Sequence, residues 1–156
     1  MLGWSAWGSN GTMSNLPASE IVIREGHPGE AEAVLAFWRQ AGATPSVTDS
    51  VKPLRHLIET GPAFLLLAET NGLLAGSLIA GFDGWRGNLY RLVVHPDQRR
   101  RGIARSLVAE GERRLAAQGA RRIAAIVESS HPWAMGFWAA VGYVHEAGLI
   151  RFVRNL

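Results

Sequence analysis

Residues 95–107 read HPDQRRRGIARSL and set Arg99, Arg100, Arg101 and Arg105 beside Gly102 and the small Ala104. Three roles fit such a run: a solvated basic face, a nucleic-acid patch, or a cradle for phosphate. The cradle requires a strand ending at Val94, a turn through Pro96 and a helix beginning near Gly102. The first N–H groups of a helix have no partner within it, and the aligned peptide dipoles add partial positive charge, so an anion is held there. Gly102 lets a phosphate approach the main chain, Ala104 keeps the next turn narrow, and the arginines pair with further phosphate charge. Two other phosphate motifs are absent from the sequence: there is no G-x-x-x-x-G-K-[ST], and no G-x-G-x-x-G between a strand and a helix.

The elements that would position this run alternate along the chain. EIVIRE (20–25) alternates apolar and polar residues as a half-buried strand does. PGEAEAVLAFWRQAG starts with a helix-compatible proline, places Ala33, Val34, Phe37, Trp38 and Ala41 on one stripe, and stops at Gly42. Asp49 or Ser50 can cap a second helix through Leu54, Leu57 and Ile58, which ends at Gly61-Pro62. FLLLAET and LLAGSLIAGF flank Asn71-Gly72, a strong hairpin signal, so residues 63–82 are expected as an antiparallel pair. NLYRLVV (88–94) is a further strand, and Ile103, Leu107, Val108 and Leu115 fall at helical spacing before Gly119. RRIAAIVE (121–128) is nearly continuously apolar in its middle, as a strand covered on both faces would be. HPWAMGFWAAVG reads as a short helix, and YVHE with LIRFV as a final hairpin.

At 156 residues the chain fits one domain with a sizeable core. The expectation is a loose extension over residues 1–19, with Met13 an alternative start, followed by a single domain over 20–156. Cysteine is absent, which removes disulfides, thiolate nucleophiles and cysteine-ligated metals, and no metal site is nominated. The net charge of +3 is modest, Lys52 is the only lysine, and most arginines outside the run are spread among acids, which argues against a nucleic-acid stripe. No apolar run approaches the ~18 residues of a membrane span, and the first residues lack a signal peptide's basic start and apolar stretch. A cytoplasmic protein without a membrane or nucleic-acid partner is therefore expected.

A strand, then R-x-x-G-x-A, then an amphipathic helix resembles the arrangement in which the GNAT superfamily of acetyl-CoA-dependent N-acetyltransferases holds coenzyme A pyrophosphate. The matching residues are Leu92, Val93 and Val94 on the strand, His95-Pro96, and Arg99, Gly102, Ile103 and Ala104. AMGFWAAVGY (134–143) is similar to the family's A-x-x-[FL]-Y-x-x-x-G-F segment, and GFDGWRG (81–87) resembles a segment of some bacterial members. The resemblance covers roughly residues 20–153. It implies an α/β (α+β) fold with a mixed, mostly antiparallel central sheet and helices on both faces.

The resemblance also implies roles. The strands at 88–94 and 121–128 would splay apart with the pantetheine arm between them, held by Leu92, Val93 and Val94, while Arg100, Arg101, Gly102, Ile103, Ala104 and Arg105 surround the pyrophosphate. An amine would attack the thioester directly, with a backbone N–H of the same strand polarising the carbonyl. Some members carry a glutamate where this chain has Asn88, so Glu128, at the end of the following strand, is the nominated base, with Asp83 and His95 weaker candidates. Many members have tyrosine where Trp138 stands; indole is too weak an acid to protonate a thiolate, so Trp138 is expected to pack beside the coenzyme and no general acid is assigned. His131 replaces an asparagine that often contacts the coenzyme. Tyr143 is expected in the core. Trp38, the loop 42–49, His56 and Trp85 are candidate lining for the acceptor pocket.

The implied function is acetyl transfer from acetyl-CoA to a primary amine of a small molecule, peptide or protein, and a homodimer is compatible with the family. Two rivals stand beside it: a coenzyme-binding regulatory module without catalysis, kept open by Trp138 and Asn88, and a basic nucleic-acid module.

Overall fold

A computed structural model describes residues 20–156, and the extension expected at 1–19 lies outside the described residues. The elements run β1 (Ile21–Glu25), α1 (Ala31–Gln40), α2 (Val51–Thr60), β2 (Ala63–Thr70), β3 (Leu73–Phe82), β4 (Gly87–Val94), α3 (Ile103–Ala117), β5 (Ile123–Ala125) and α4 (Pro132–Ala140). They build one sheet in the order β1-β2-β3-β4-β5, antiparallel through β4 and parallel between β4 and β5. The turn between β2 and β3 places Asn71 and Gly72 at φ 51° and 73°, the left-handed pair that a two-residue hairpin demands.

Strand alternation sends neighbouring leucines of β2 to opposite faces. Leu65 and Leu67, with Ile79 of β3, pack against Ala31, Val34, Phe37 and Trp38 of α1 and Leu54 of α2. Leu66, Leu78, Ala80 and Leu89 meet Ile103, Leu107, Val108 and Leu115 of α3, with Phe137 and Trp138 of α4 at the margin. Helices thus cover both faces, as the element order implied. Each fully buried leucine contributes about 1.5–3 kcal/mol, which is why central β2 and β3 can be apolar on both sides.

Two expectations fail at the C-terminal end. β5 is confined to Ile123–Ala125 instead of 121–128, and only one of its faces is covered: Ile123 and Ala125 are half-buried, whereas Ala124 and Ile126 are exposed. Among the described residues no strand follows α4, so the hairpin expected from YVHE and LIRFV is not formed. The chain reverses at 146–149, where the Leu149 N–H donates to the Glu146 carbonyl at 3.2 Å, but no ladder grows from that turn. An isolated two-stranded hairpin is marginal in water, and this one has no layer to bury its apolar side chains. Val144 and Ile150 are accordingly 85% and 82% exposed.

At the opposite edge, Arg24 of β1 joins three elements. Its guanidinium donates to Glu69 of β2 at 2.6 and 2.9 Å and, with two nitrogens, to Glu30 before α1 at 2.7 and 2.9 Å. Glu30 also accepts the His27 N–H at 2.8 Å, closing the turn that leads into α1. The Arg24 hydrogen bonds, more than the added His27 bond, hold the Glu30 carboxyl at about 2, against an ordinary value of 4.5. A depressed carboxylate stabilises the fold fully above its unfolded pKa and loses that contribution as pH falls through the folded one. Glu30→Gln is therefore expected to cost about 1 kcal/mol of stability at pH 7, in line with paired, partly exposed carboxylates. Urea denaturation across pH should show the difference from the parent fade between pH 4.5 and 2; a constant difference would contradict the assignment.

Candidate active site

The chain leaves β4 at Val94 and is pinned at once, because the His95 N–H donates to the Ala75 carbonyl at 2.9 Å. A single 3-10 turn, Pro96–Gln98, follows, and the His95 ring caps it by accepting the Asp97 N–H at 3.2 Å. Arg100 and Gly102 then adopt left-handed backbone, φ 65° and 81°, and α3 begins at Ile103. The space beside Gly102 is open, so glycine is demanded there by the dihedral alone. Arg100 holds the same region without that freedom, at a cost on the order of 1 kcal/mol; such strain concentrates where a loop binds something. The first helical bond runs from the Ser106 N–H to the Gly102 carbonyl at 3.0 Å, and Gly102 supplies no side-chain cap. The amides of Ile103, Ala104 and Arg105 consequently precede the helix's own ladder, as the sequence suggested.

The height of this helix start is set by a second glycine. A Cβ on Gly76 of β3 would lie 2.7 Å from Ile103 Cγ2 and 3.0 Å from Leu107 Cδ1, so α3 rests on bare backbone. Arg99, Arg100, Arg101 and Arg105 are exposed around the turn. Arg101 donates to Gln98 Oε1 at 3.0 Å, which also accepts Thr70 Oγ1–H at 3.3 Å, while Arg99 lies over the indole of Trp133 at 5.3 Å.

Beside the turn the sheet opens. Among the described residues β4 pairs with β5 only at Gly87↔Ile123, Asn88↔Ala124 and Leu89↔Ala125, and β4 continues to Val94 without a partner on that side. The backbone of Leu92, Val93 and Val94 therefore borders a gap that could take an extended ligand as an added strand. The opening coincides with a bulge, since the β3–β4 register jumps from Ser77↔Val93 to Ile79↔Tyr90 and Arg91 sits inside the irregularity at φ 50°.

Arg91 is a residue that the sequence reading passed over. Its carbonyl accepts the Ser77 hydroxyl at 3.2 Å, and that hydroxyl accepts the Trp38 indole N–H at 2.8 Å. Its guanidinium donates to the Thr44 carbonyl at 2.8 Å, pairs with Asp49, and lies 5.2 Å from the Trp38 ring. One side chain thus fastens the loop after α1 to the strand bordering the gap. An arginine inside the apolar run NLYRLVV was the available signal. Asp49 is engaged by Arg91 and by the Ser46 N–H at 2.9 Å, and Ser50 occupies the start of α2 without a side-chain cap.

Glu128 lies on the same rim. Its Oε2 accepts the Thr44 hydroxyl at 3.0 Å and stands 3.2 Å from His131 Nε2, and both side chains are about half exposed. Glu128 and His131 are thereby brought together, linked through Thr44 to the Arg91 network. Trp138 packs edge-on against Phe137 and Tyr143, with centroids 5.4 and 4.8 Å apart. Burial first, and then the nearby Glu112 carboxylate, raise the Tyr143 phenol above its ordinary range, and among the described residues its buried hydroxyl finds no partner within hydrogen-bond distance.

Other nominated residues stand elsewhere. Trp38 is a core residue, 4% exposed, and does not line a pocket. His56 bonds with Thr60 on the outer side of α2, and Trp85 is 72% exposed beneath Arg86. Asp83 accepts the N–H groups of Arg86 at 2.7 Å and Trp85 at 2.8 Å; those bonds lower its pKa and make it a turn residue. Trp133, 63% exposed between Arg99 and the His131 ring, was not foreseen.

Residues 32–143 match the model of the Acetyltransferase (GNAT) family. An acetyltransferase of Pectobacterium atrosepticum is 33% identical over 123 residues, spanning 79% of this chain and 87% of the relative, and an acetyltransferase of Yersinia pestis is 31% identical over the same shares. Among solved structures, the aminoglycoside N-acetyltransferase AAC(6')-Iy in complex with CoA superposes with a TM-score of 0.72 at 18% identity, covering 90% of this chain and 99% of that one. A predicted acetyltransferase of Clostridium acetobutylicum with acetyl-CoA gives 0.72 at 10% identity, covering 86% and 96%.

Removing the Arg91 side chain should free the loop. In an Arg91→Ala protein, amides of residues 44–50 are expected to exchange with deuterium roughly 10–100-fold faster, the loss of a charged hydrogen-bonded tie of about 1.5–3 kcal/mol, with β2 and β3 unchanged. Unaltered exchange in that loop would show that Arg91 does not hold it.

Proposed function

Because this chain belongs to the GNAT family of acetyltransferases, we propose that it transfers acetyl from acetyl-CoA to a primary amine of a small molecule or peptide by direct attack. The observation that carries the reading is the start of α3. Amides of Ile103, Ala104 and Arg105 without a partner among the described residues, a left-handed Gly102 and exposed arginines adjoin the open edge of β4. In the proposed complex the pyrophosphate sits on those amides with Arg99, Arg100, Arg101 and Arg105 around it. The pantetheine lies along Leu92, Val93 and Val94, and His131 and Trp138 border the arm from α4. Trp133, with one face toward Arg99, is suited to stack the adenine.

The amine nitrogen attacks the thioester carbonyl, the oxygen takes up negative charge, and the carbon–sulfur bond breaks as the carbonyl re-forms. The ammonium proton must leave first, and Glu128 is the base, acting directly or through water from the rim it shares with Thr44. The coenzyme departs as a thiolate without an assigned acid, which a thiol of pKa about 8.5 tolerates, and the second proton that nitrogen loses as the amide forms passes to that thiolate through water. Trp138 and Asn88 favour one alternative, a module that binds acetyl-CoA for regulation and does not turn it over.

A panel of amines, assayed by acetyl-CoA-dependent thiol release, separates the two: turnover on any amine supports the enzyme, and tight coenzyme binding with a silent panel supports the module. Gly102→Val should weaken acetyl-CoA binding about 10–100-fold, as expected when charge-assisted amide contacts are lost, with the circular dichroism spectrum retained. Unchanged affinity would refute the cradle. Glu128→Gln should lower kcat about 10²–10⁴-fold with little change in coenzyme affinity; equal kcat would remove Glu128 from the chemistry.

A further inference from the structure

The residue before a helix ordinarily turns its side chain back to accept one of the first N–H groups. His131 stands there before α4, but its ring makes no such bond, and it is the His131 carbonyl that accepts the Ala134 N–H at 2.9 Å. The ring faces Glu128, with Nε2 3.2 Å from Oε2. An ionised carboxylate only accepts hydrogen bonds, so the nitrogen toward it carries the proton and Nδ1 keeps its lone pair. Among the described residues Nδ1 has no hydrogen-bond partner, and the neighbouring ring is Trp133, with centroids 5.3 Å apart. Glu128 is itself held. Its Oε2 also accepts the Thr44 hydroxyl at 3.0 Å, and the Thr44 carbonyl accepts the Arg91 guanidinium at 2.8 Å. These contacts set the pair opposite the bulge of β4, in the stretch where β4 and β5 have parted. Of the other charged groups, Arg99 lies beyond Trp133, and Arg91 with Asp49 lies beyond Thr44, so the Glu128 carboxylate alone touches the ring.

We propose that the proton acceptor for the incoming amine is Nδ1 of His131, and that Glu128 is the residue that positions it. The inference rests on the acetyl-transfer reading and refines its proton step, in that Glu128 acts through the ring and not on the amine itself. An oxygen that already accepts two bonds is placed to hold an imidazole, and the bare Nδ1 is placed to collect a proton. The Nδ1 lone pair bonds to a proton of the ammonium, and the electrons of the broken N–H bond stay on nitrogen as the pair that attacks the thioester. The imidazolium keeps its Nε2–H on Glu128, whose carboxylate balances the new charge. The half-exposed ring then gives the Nδ1 proton to water, while the coenzyme thiolate takes up the second proton that nitrogen loses.

The probe is the amine that the full chain acetylates fastest from a panel of a polyamine, an amino sugar, an aromatic amine and a short peptide. His131→Gln should lower kcat about 10²–10⁴-fold while KM for acetyl-CoA changes far less. Adding Glu128→Gln to that variant should reduce kcat little further, because a ring and the carboxylate that orients it act as a unit. Free imidazole in the buffer should raise kcat of a His131→Gly protein at least tenfold and leave the parent unchanged. A ring that only touches the coenzyme gives the reverse pattern: a raised KM for acetyl-CoA, an unaltered kcat and no response to imidazole. An unimpaired kcat in His131→Gln, additive losses in the double variant, or a His131→Gly protein indifferent to imidazole would overturn the dyad and leave acetyl transfer standing. A parent that acetylates no amine of the panel would remove the transfer reading and the dyad together.

Discussion

Three peptide N–H groups at the start of α3 have no acceptor in their own helix, and much of the surrounding architecture keeps them uncapped and accessible. Gly102 turns the chain into the helix with a backbone that carries no capping side chain, and His95 anchors the approach to β3. Gly76 lets the helix settle onto the sheet, so its start comes level with the end of β4. Unpaired donors are costly when buried and useful when presented to an anion, since the helix dipole and the neighbouring arginines reinforce the attraction.

The second constraint is the parting of β4 and β5 after Leu89 and Ala125. A parallel pair only three residues long leaves β4 half-paired as far as Val94, and the bulge at Arg91 bends the strand where the pairing stops. Arg91 spends its carbonyl on the Ser77–Trp38 hydrogen-bond chain and its guanidinium on the loop after α1. The same residue therefore shapes the open stretch of β4 and holds the loop after α1, with Thr44 passing the connection on to Glu128. A coupling of this kind makes the position of the Glu128 carboxylate depend on a loop and not on a strand, which is consistent with its half-exposed surroundings.

The elements up to α3 were legible because each obeys a local rule: period-two alternation in β1, Asn71-Gly72 between β2 and β3, and helical stripes closed by glycine in α1 and α3. The uncapped helix start was legible for the same reason, since strand end, glycine and helix are contiguous in sequence. What escaped was non-local. Arg91, Thr44 and Glu128 meet across gaps of 47 and 84 positions that no periodicity encodes. Trp38 read as pocket lining because an aromatic on an amphipathic stripe cannot be told from a ligand contact until the sheet beneath it is known; here Ser77 takes its N–H and encloses it. YVHE and LIRFV read as a final hairpin, but short apolar segments become strands only where an edge and an apolar layer are available to receive them.

The central claim is that the coenzyme's diphosphate is held by main-chain amides at the start of α3. Titrating isotopically labelled protein with coenzyme A and following backbone amide resonances tests it most directly. The account predicts the largest shifts, in the downfield sense of newly formed hydrogen bonds, at Gly102, Ile103, Ala104 and Arg105, with smaller changes along Leu92, Val93 and Val94. Saturating binding that leaves those four amides unmoved, with its shifts centred elsewhere, would contradict it.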